Sequence, residues 1–314
     1  MSKWILFFVL FNIFSLHAQY APAVGDFGTT AISKDSSIFQ FWADSAILKR
    51  GWQNSVDKKL GFASFGKVED GLGNPDSKIV SLGDSGEIIL SFPHRIINGV
   101  GPDFAVFENS FNNTYLELAF LEVSSDGKHF IRFPSVSLLP THVQLGNDAV
   151  MDATKIDNLA GKYKGGFGTP FDLEIIKDSA NLDVNNVRYV KLIDVVGSVN
   201  PIFGTKDSKG NLINDPFPTP YPSSGFDLDA VGVINSEFAY MDDKIQTFKI
   251  WPNPASEILI IDLPSTENVS IFNSVGEHIY SNQIMGKIEL DITHFEKGLY
   301  FVKIQNSVHK IIVQ

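Results

Sequence analysis

The sequence predicts an all-β protein made of one large and one small module, and three observations carry that expectation. From residue 79 onward, short runs alternate apolar and polar residues: 87–92 (EIILSF), 103–108 (DFAVFE), 116–124 (LELAFLEVS) and 187–195 (VRYVKLIDV). A period of two in runs rich in β-branched and aromatic residues marks antiparallel strands. Gly, Pro, Asn and Asp close these runs, and 124–130 (SSDGKHF) carries the Asp-Gly pair that favours a tight hairpin turn. Helix signals are sparse: residues 39–48 fit a helix capped by Ser36 or Ser37 and fit a strand equally well.

Taken in chain order, residues 1–18 read as a signal peptide. Lys3 is followed by an apolar run from Trp4 to Leu16, and small Ala18 precedes Gln19. The run is short of the roughly 20 residues that span a membrane, and no later stretch approaches that length, so the mature chain is expected to have no membrane span. Removing Lys3 takes the net charge from −11 to −12. An acidic chain without a basic stripe repels phosphate backbones, which argues against nucleic acid as a partner. Cys is absent, which excludes disulfides, a lipid-acylated Cys, thiolate nucleophiles and Cys-ligated zinc. Stability must come from burial, and 44% hydrophobic residues with 26 Phe suffice for a large core.

Residues 19–240 form the expected large domain, and 196–224 stands out within it. That stretch concentrates Gly, Pro, Asn, Asp and Ser, so it is a long excursion, and loops of that length are usually functional or disordered. Its aromatics Phe203, Phe217 and Tyr221 argue for order. The chain then returns to a strand at 225–234 (GFDLDAVGVI). Residues 241–246 read as a linker. Residues 247–314 read as a second domain with short strands around Ile258, Val269, Ile288, Tyr300 and Ile311, enough to close a small sandwich around one core.

Three motifs in this last segment carry a resemblance: WPNPASE (251–257), VSIFNSVGEHIY (269–280) and LDITHFEKGLYFVKI (290–304). Together they resemble the type A C-terminal sorting domain of type IX secretion cargo in Bacteroidetes. Physically, Pro252 and Pro254 stop a strand while Gly276 and Gly298 supply turns. The resemblance implies recognition by the type IX translocon and its sorting machinery, and a secreted or outer-membrane cell-surface location. Ile250-Trp251 departs from the family's usual pair before Pro-Asn-Pro. In the large domain, 101–109, 116–130, 187–198 and 225–235 are similar to galactose-binding-like, discoidin-type modules of exported proteins. The full expectation is therefore a large jelly-roll β-sandwich followed by a small Greek-key β-sandwich. The 196–224 insertion lies outside a minimal discoidin module, so no family ligand site transfers.

Several motifs bear on chemistry. Residues 83–87 (GDSGE) echo the surroundings of a trypsin-like serine, but a serine nucleophile needs a His base and an orienting acid. Before the C-terminal domain the mature chain offers only His94, His129 and His142, none in a catalytic context. The motif reads as a turn ahead of a strand. Residues 207–215 (DSKGNLIND) cluster oxygen donors in a loop, and two readings stay open: a Ca²⁺ site using Asp207 and Asp215 with Asp227 and Asp229, or a solvated Asx turn. Alternation places Asp227 and Asp229 on one strand face and Phe226, Leu228 and Ala230 on the other. For a ligand, Tyr163, Lys164, Phe167, Phe203 and Tyr221 are the candidate contacts, because exposed rings in Gly-rich or Pro-rich loops can stack on a sugar. The function expected is non-catalytic capture of a glycan or other small nutrient by loops 161–173 and 199–224. An Asp/Glu glycoside hydrolase and an adhesion protein are the alternatives.

Overall fold

The computed structural model describes residues 20–236, 249–274, 276–304 and 307–314. The signal peptide expected at 1–18 and the linker expected at 241–246 lie outside the described residues. The chain divides into two compact units, Met1–Glu237 and Phe238–Gln314.

Strands of the larger unit, in chain order, begin with β1 (Ile32–Ser33), β2 (Phe41–Trp42), β3 (Ser45–Lys49), β4 (Val80–Ser81), β5 (Glu87–Ile96), β6 (Phe104–Glu108) and β7 (Ala119–Ser124). They continue with β8 (Ile131–Arg132), β9 (Val136–Ser137), β10 (Ile156–Asp157), β11 (Phe167–Phe171), β12 (Val187–Asp194) and β13 (Asp227–Val233). Two antiparallel sheets result, one ordered β1-β11-β6-β13-β2 with β4 beside β13, the other β3-β5-β12-β7-β8. A further short pair, β9 and β10, stands apart. Phe104, Val106, Leu228, Val231 and Val233 from the first sheet meet Ile88, Leu90, Leu121, Val123, Val190 and Leu192 from the second in one buried core. This is the sandwich that period-two patterning implies, since alternate residues of every strand face the same layer. The 39–48 ambiguity resolves as strands β2 and β3. Phe39 and Trp42 pack on Phe107 with ring centroids 5.5 and 5.6 Å away, on the outer face of the first sheet.

One expectation of alternation fails. Phe226 and Leu228 face the inter-sheet core, but Ala230 lies with Ala105 and Phe107 on the opposite face. The cause is a bulge: Leu228 pairs with Glu108 and Ala230 with Phe107, so two steps on β13 match one on β6. Asp227 and Asp229 consequently meet different partners. The Asp-Gly hairpin forms between β7 and β8, with the Asp126 carboxylate accepting the N–H groups of Lys128 and His129 at 2.8 and 2.9 Å.

The smaller unit carries β14 (Lys249–Trp251), β15 (Ile258–Asn273), β16 (His278–Asp291), β17 (Gly298–Ile304) and β18 (Ser307–Val313). The strands expected separately around Ile258 and Val269 are the two halves of β15. Its register shifts between Leu263 and Glu267, so the first half pairs with β14 and the second with β17. Leu259 and Ile261 from one half share a core with Val269 and Ile271 from the other, together with Val302 and Ile311. One bent strand thus serves both layers of a small sandwich.

Asp103 closes the start of β6. Its buried carboxylate accepts the N–H of Gly99 and of Leu173, each at 2.7 Å, and the Asn235 amide at 2.9 Å. Replacing it leaves buried amide donors without acceptors, at about 1–3 kcal/mol for each orphaned group. Asp103→Ala is therefore expected to lower the urea midpoint of the larger unit, followed by tryptophan fluorescence. An unchanged midpoint would show these bonds to be dispensable.

Candidate functional site

Antiparallel pairing brings the last residues of β6 and β12 beside the first residues of β13 and β7, at one end of the sandwich. Glu108 ends β6 and lies opposite Leu228, while Asp194 ends β12 opposite Ala119. Asp227 opens β13, and Glu117 precedes β7. The excursion 196–224 adds Asp215. Six carboxylates, with Asp84 from the 83–87 turn, gather within each other's electrostatic reach.

The buried members are held by backbone amides. Asp194 accepts the N–H of Phe226 at 2.7 Å and of Ser85 at 3.0 Å, tying the second sheet to the strand entrance of the first. Gly225 makes this approach possible: its φ is +73°, and a Cβ there would lie 2.6 Å from the Asp194 carboxylate. Asp215 accepts from Leu118 N–H at 2.7 Å, Glu108 from Ser110 N–H at 2.7 Å, and Asp84 from Ser55 N–H at 2.6 Å. Asp227 accepts the Ser81 hydroxyl, and Asp229 takes the N–H groups of Asp76 and Ser77 at 3.1 and 3.3 Å. The Gly-Asp-Ser-Gly motif is thus a structural turn.

Burial dominates the electrostatics. Desolvation, then repulsion from neighbouring carboxylates, pushes Glu108, Glu117, Asp194 and Asp215 well above the ordinary carboxylate range. Desolvation lifts Asp227 to about 7, against the opposing effects of the Ser81 hydrogen bond and the Arg50 charge. Asp229 rises to about 6 for the same leading reason. Arg50 is itself occupied, donating to the carbonyls of Phe65, Ser81 and Gly66 at 2.6–2.7 Å.

Glu117 and Asp227 line a cavity of about 570 Å³ whose other walls include Phe111, Tyr115, Asn147 and Tyr221. Its lining among the described residues holds no Lys or Arg. Of the five ligand contacts expected from sequence, Tyr221 alone lies here, its hydroxyl receiving the Asn147 amide at 3.2 Å. Tyr163 is a core residue whose hydroxyl pairs with that of Thr30 at 2.8 Å. The Lys164 ammonium sits 5.8 Å from the ring centre of Phe167, where the 161–166 loop enters β11. That loop backs the pocket through its main chain: Gly165 N–H donates to Ser110 at 2.8 Å. Phe203 is part of a separate turn closed by Asn200.

The four carboxylates expected to ligate calcium are not collected at one point. Asp207 is filled by its own loop, accepting from the N–H groups of Ser137, Lys209 and Asn211 and from the Asn211 amide at 2.8–3.1 Å. Burial works to raise its pKa, but those amide bonds outweigh it and hold the group below the ordinary value. This is Asx-turn geometry. Among the described residues no group of three or more His, Asp or Glu is arranged to hold a metal ion. Glu117, Phe111, Tyr115 and Asn147 were not singled out from sequence. The signal for Glu117 was present: it is a charged residue set between Leu116 and Leu118 and in phase with Ala119, Leu121 and Val123, which face the inter-sheet core.

Residues 249–314 match the family model for the secretion system C-terminal sorting domain. The C-terminal unit is a type IX sorting domain, and the protein is exported to the cell surface or beyond it. Among the described residues no helix is long and apolar enough to cross a membrane. No curated protein sequence matches the chain. Among solved structures it is similar to PorZ, a surface component of the type IX secretion system of Porphyromonas gingivalis, at 16% identity over 27% of this chain and 14% of that one, with TM-score 0.20. It is also similar to a biofilm-associated protein BSP domain (12% identity, 73% and 48% covered, TM-score 0.18) and to a Ruminococcus gnavus β-glucuronidase (10%, 90% and 48%, 0.21). The chain spans about half or less of the length of these structures, and likenesses this slight assign neither fold nor activity.

Because the folded pKa of Asp227 lies above the ordinary carboxylate value, the folded chain binds this proton more tightly than the unfolded chain does. The associated stability is complete below the ordinary value and is lost as pH rises through about 7. The melting temperature of the larger unit is expected to fall from about pH 5 to about pH 8, and Asp227→Asn to flatten part of that fall. A melting temperature that rises over this range contradicts the assignment.

Proposed function

We propose that the exported protein binds a neutral glycan in the acid-floored pocket of its larger unit. The carrying observation is the company Glu117 and Asp227 keep: the rings of Phe111, Tyr115 and Tyr221, the Asn147 amide, and no basic side chain in the lining. A sugar presents an apolar C–H face and a rim of hydroxyl donors. Rings suit the first, and carboxyl and amide groups suit the second. Uronates, sulfates and phosphates find no basic side chain in the lining to pair with. The sorting domain places such a binder where extracellular glycans are met.

A second reading has its own support. Three carboxylates line one pocket, Glu117, Asp148 and Asp227, and the last, lifted to about 7, matches the acid half of a glycoside hydrolase. Turnover separates the two readings, since a binder releases no reducing sugar.

Calorimetric titration of the chain lacking residues 1–18 is expected to show binding of neutral oligosaccharides and none of uronic ones. Tyr221→Ala should weaken binding by about tenfold, as loss of a central ring does. Glu117→Gln should weaken it without lowering the melting temperature, because it removes an acid that burial disfavours. Preference for uronic over neutral sugars contradicts the proposal, and hydrolysis of the titrant transfers the site to the second reading.

A further inference from the structure

Pocket and ligand class leave open how much of a glycan is held, and an exposed aromatic track beside the pocket bears on that. Loop 50–66 lies against the 219–224 segment that carries Tyr221. The N–H groups of Ser64 and Phe65 both donate to the carbonyl of Pro222, at 2.8 and 3.0 Å, and the Ser224 hydroxyl donates to the carbonyl of Gln53 at 2.9 Å. On this loop Phe62 is 53% and Phe65 51% exposed; across the pocket Tyr221 is 51% and Phe111 87% exposed. All four rings stand open to solvent, a costly arrangement for a surface with no partner.

The Phe62 ring and the main chain that carries Phe65 are held in place. Phe62 stacks on Trp52 with centroids 4.1 Å apart and planes inclined by 24°, and the Lys58 ammonium lies 5.1 Å from the Trp52 ring centre. Trp52 exchanges backbone hydrogen bonds with Asp84, at 2.7 and 3.2 Å, and Gln53 N–H bonds Gly61 at 3.0 Å. The Arg50 guanidinium clamps the carbonyls of Phe65 and Gly66. A ring held this way loses little freedom when a ligand arrives.

We infer that the ligand is an extended neutral polysaccharide chain: one unit occupies the pocket at Tyr221, and the following units lie over Phe65 and Phe62. The inference rests on the pocket being a sugar site. The occupant follows from continuity with that pocket, through the bonds that join Ser64 and Phe65 to Pro222 beside Tyr221, and from the open ring faces, which suit the C–H faces of successive sugars.

The test is affinity against chain length. Gluco-, manno-, galacto- and xylo-oligosaccharides, from monosaccharide to octasaccharide, are titrated into the chain lacking residues 1–18. Affinity is expected to climb with length for the wild type. A Phe62→Ala/Phe65→Ala variant should bind the shortest sugar as the wild type does and lose about tenfold on the longest. Phe62→Leu, which keeps an apolar contact on Trp52 but not a ring face, should show the same loss and guards against a folding defect. Length-independent affinity in the wild type overturns the track. So does an unchanged length dependence in the variants, and if Tyr221→Ala still weakens binding in that case, the pocket stands without the track. Binding of phospholipid vesicles, or self-association abolished by the double variant, assigns the rings to a lipid surface or a second copy and also overturns it. Absence of any sugar binding removes both pocket and track.

Discussion

Carboxylates buried at one end of the larger sandwich must find hydrogen bonds or protons, and that requirement organises the site. An ionised carboxylate taken out of water costs several kcal/mol unless donors surround it. Here the donors are main-chain amides that the two sheets supply to each other. Asp194 bonds Phe226 and Ser85, and Asp215 draws the long excursion onto Leu118. The end of the sandwich is thereby closed by polar groups rather than by apolar packing. At Glu117 and Asp227, the latter bonded by the Ser81 hydroxyl, a cavity opens. The chemistry of the pocket is what remains of the carboxylates' capacity after the fold has used the rest.

The excursion 196–224 shows how a segment without regular structure can be ordered. Buried Asn214 donates to the carbonyls of Pro140 and Val143 at 2.6 and 2.8 Å and accepts from Leu145 N–H at 3.1 Å. Asp207 folds the loop tip on itself, and Asp215 pins its return. Side-chain amides and carboxylates here do the work that strand ladders do elsewhere. Tyr221 is consequently presented from a fixed base. The same polar residues that suggest a metal site in sequence serve to hold the backbone.

Much of the fold was legible because the strands are short apolar or alternating runs closed by turn residues. Residues 87–92 and 187–195 alternate, and β5 and β12 lie there, while the apolar run within 103–108 is β6, buried on both faces. The bulge at Leu228–Ala230 was not legible, since it depends on how many residues β6 offers opposite β13, which no local pattern records. The halves of β15 read as two strands because Pro264 and the polar residues after it look like a break, whereas the strand bends and continues into the second layer. The sorting domain was legible from three spaced motifs. The pocket was only half so: Asp227 drew notice as a charged residue on a strand, and Tyr221 as a ring in a Pro-rich loop. Glu117 joins them through strand order, which brings distant segments to one end. Tyr163 misled for the opposite reason, since a ring in a Gly-rich stretch can turn inward, as it does toward Thr30.

The sorting domain and the carboxylate-lined pocket belong to separate parts of the chain, residues 249–314 and residues within 111–227. The most direct test of the account is a crystal structure of the chain lacking residues 1–18, grown with a neutral octasaccharide. The account predicts a sugar ring against Tyr221, its hydroxyls hydrogen-bonded to Glu117 and Asp227. A cavity filled by a metal ion held between those carboxylates, with the sugar bound elsewhere, would contradict it.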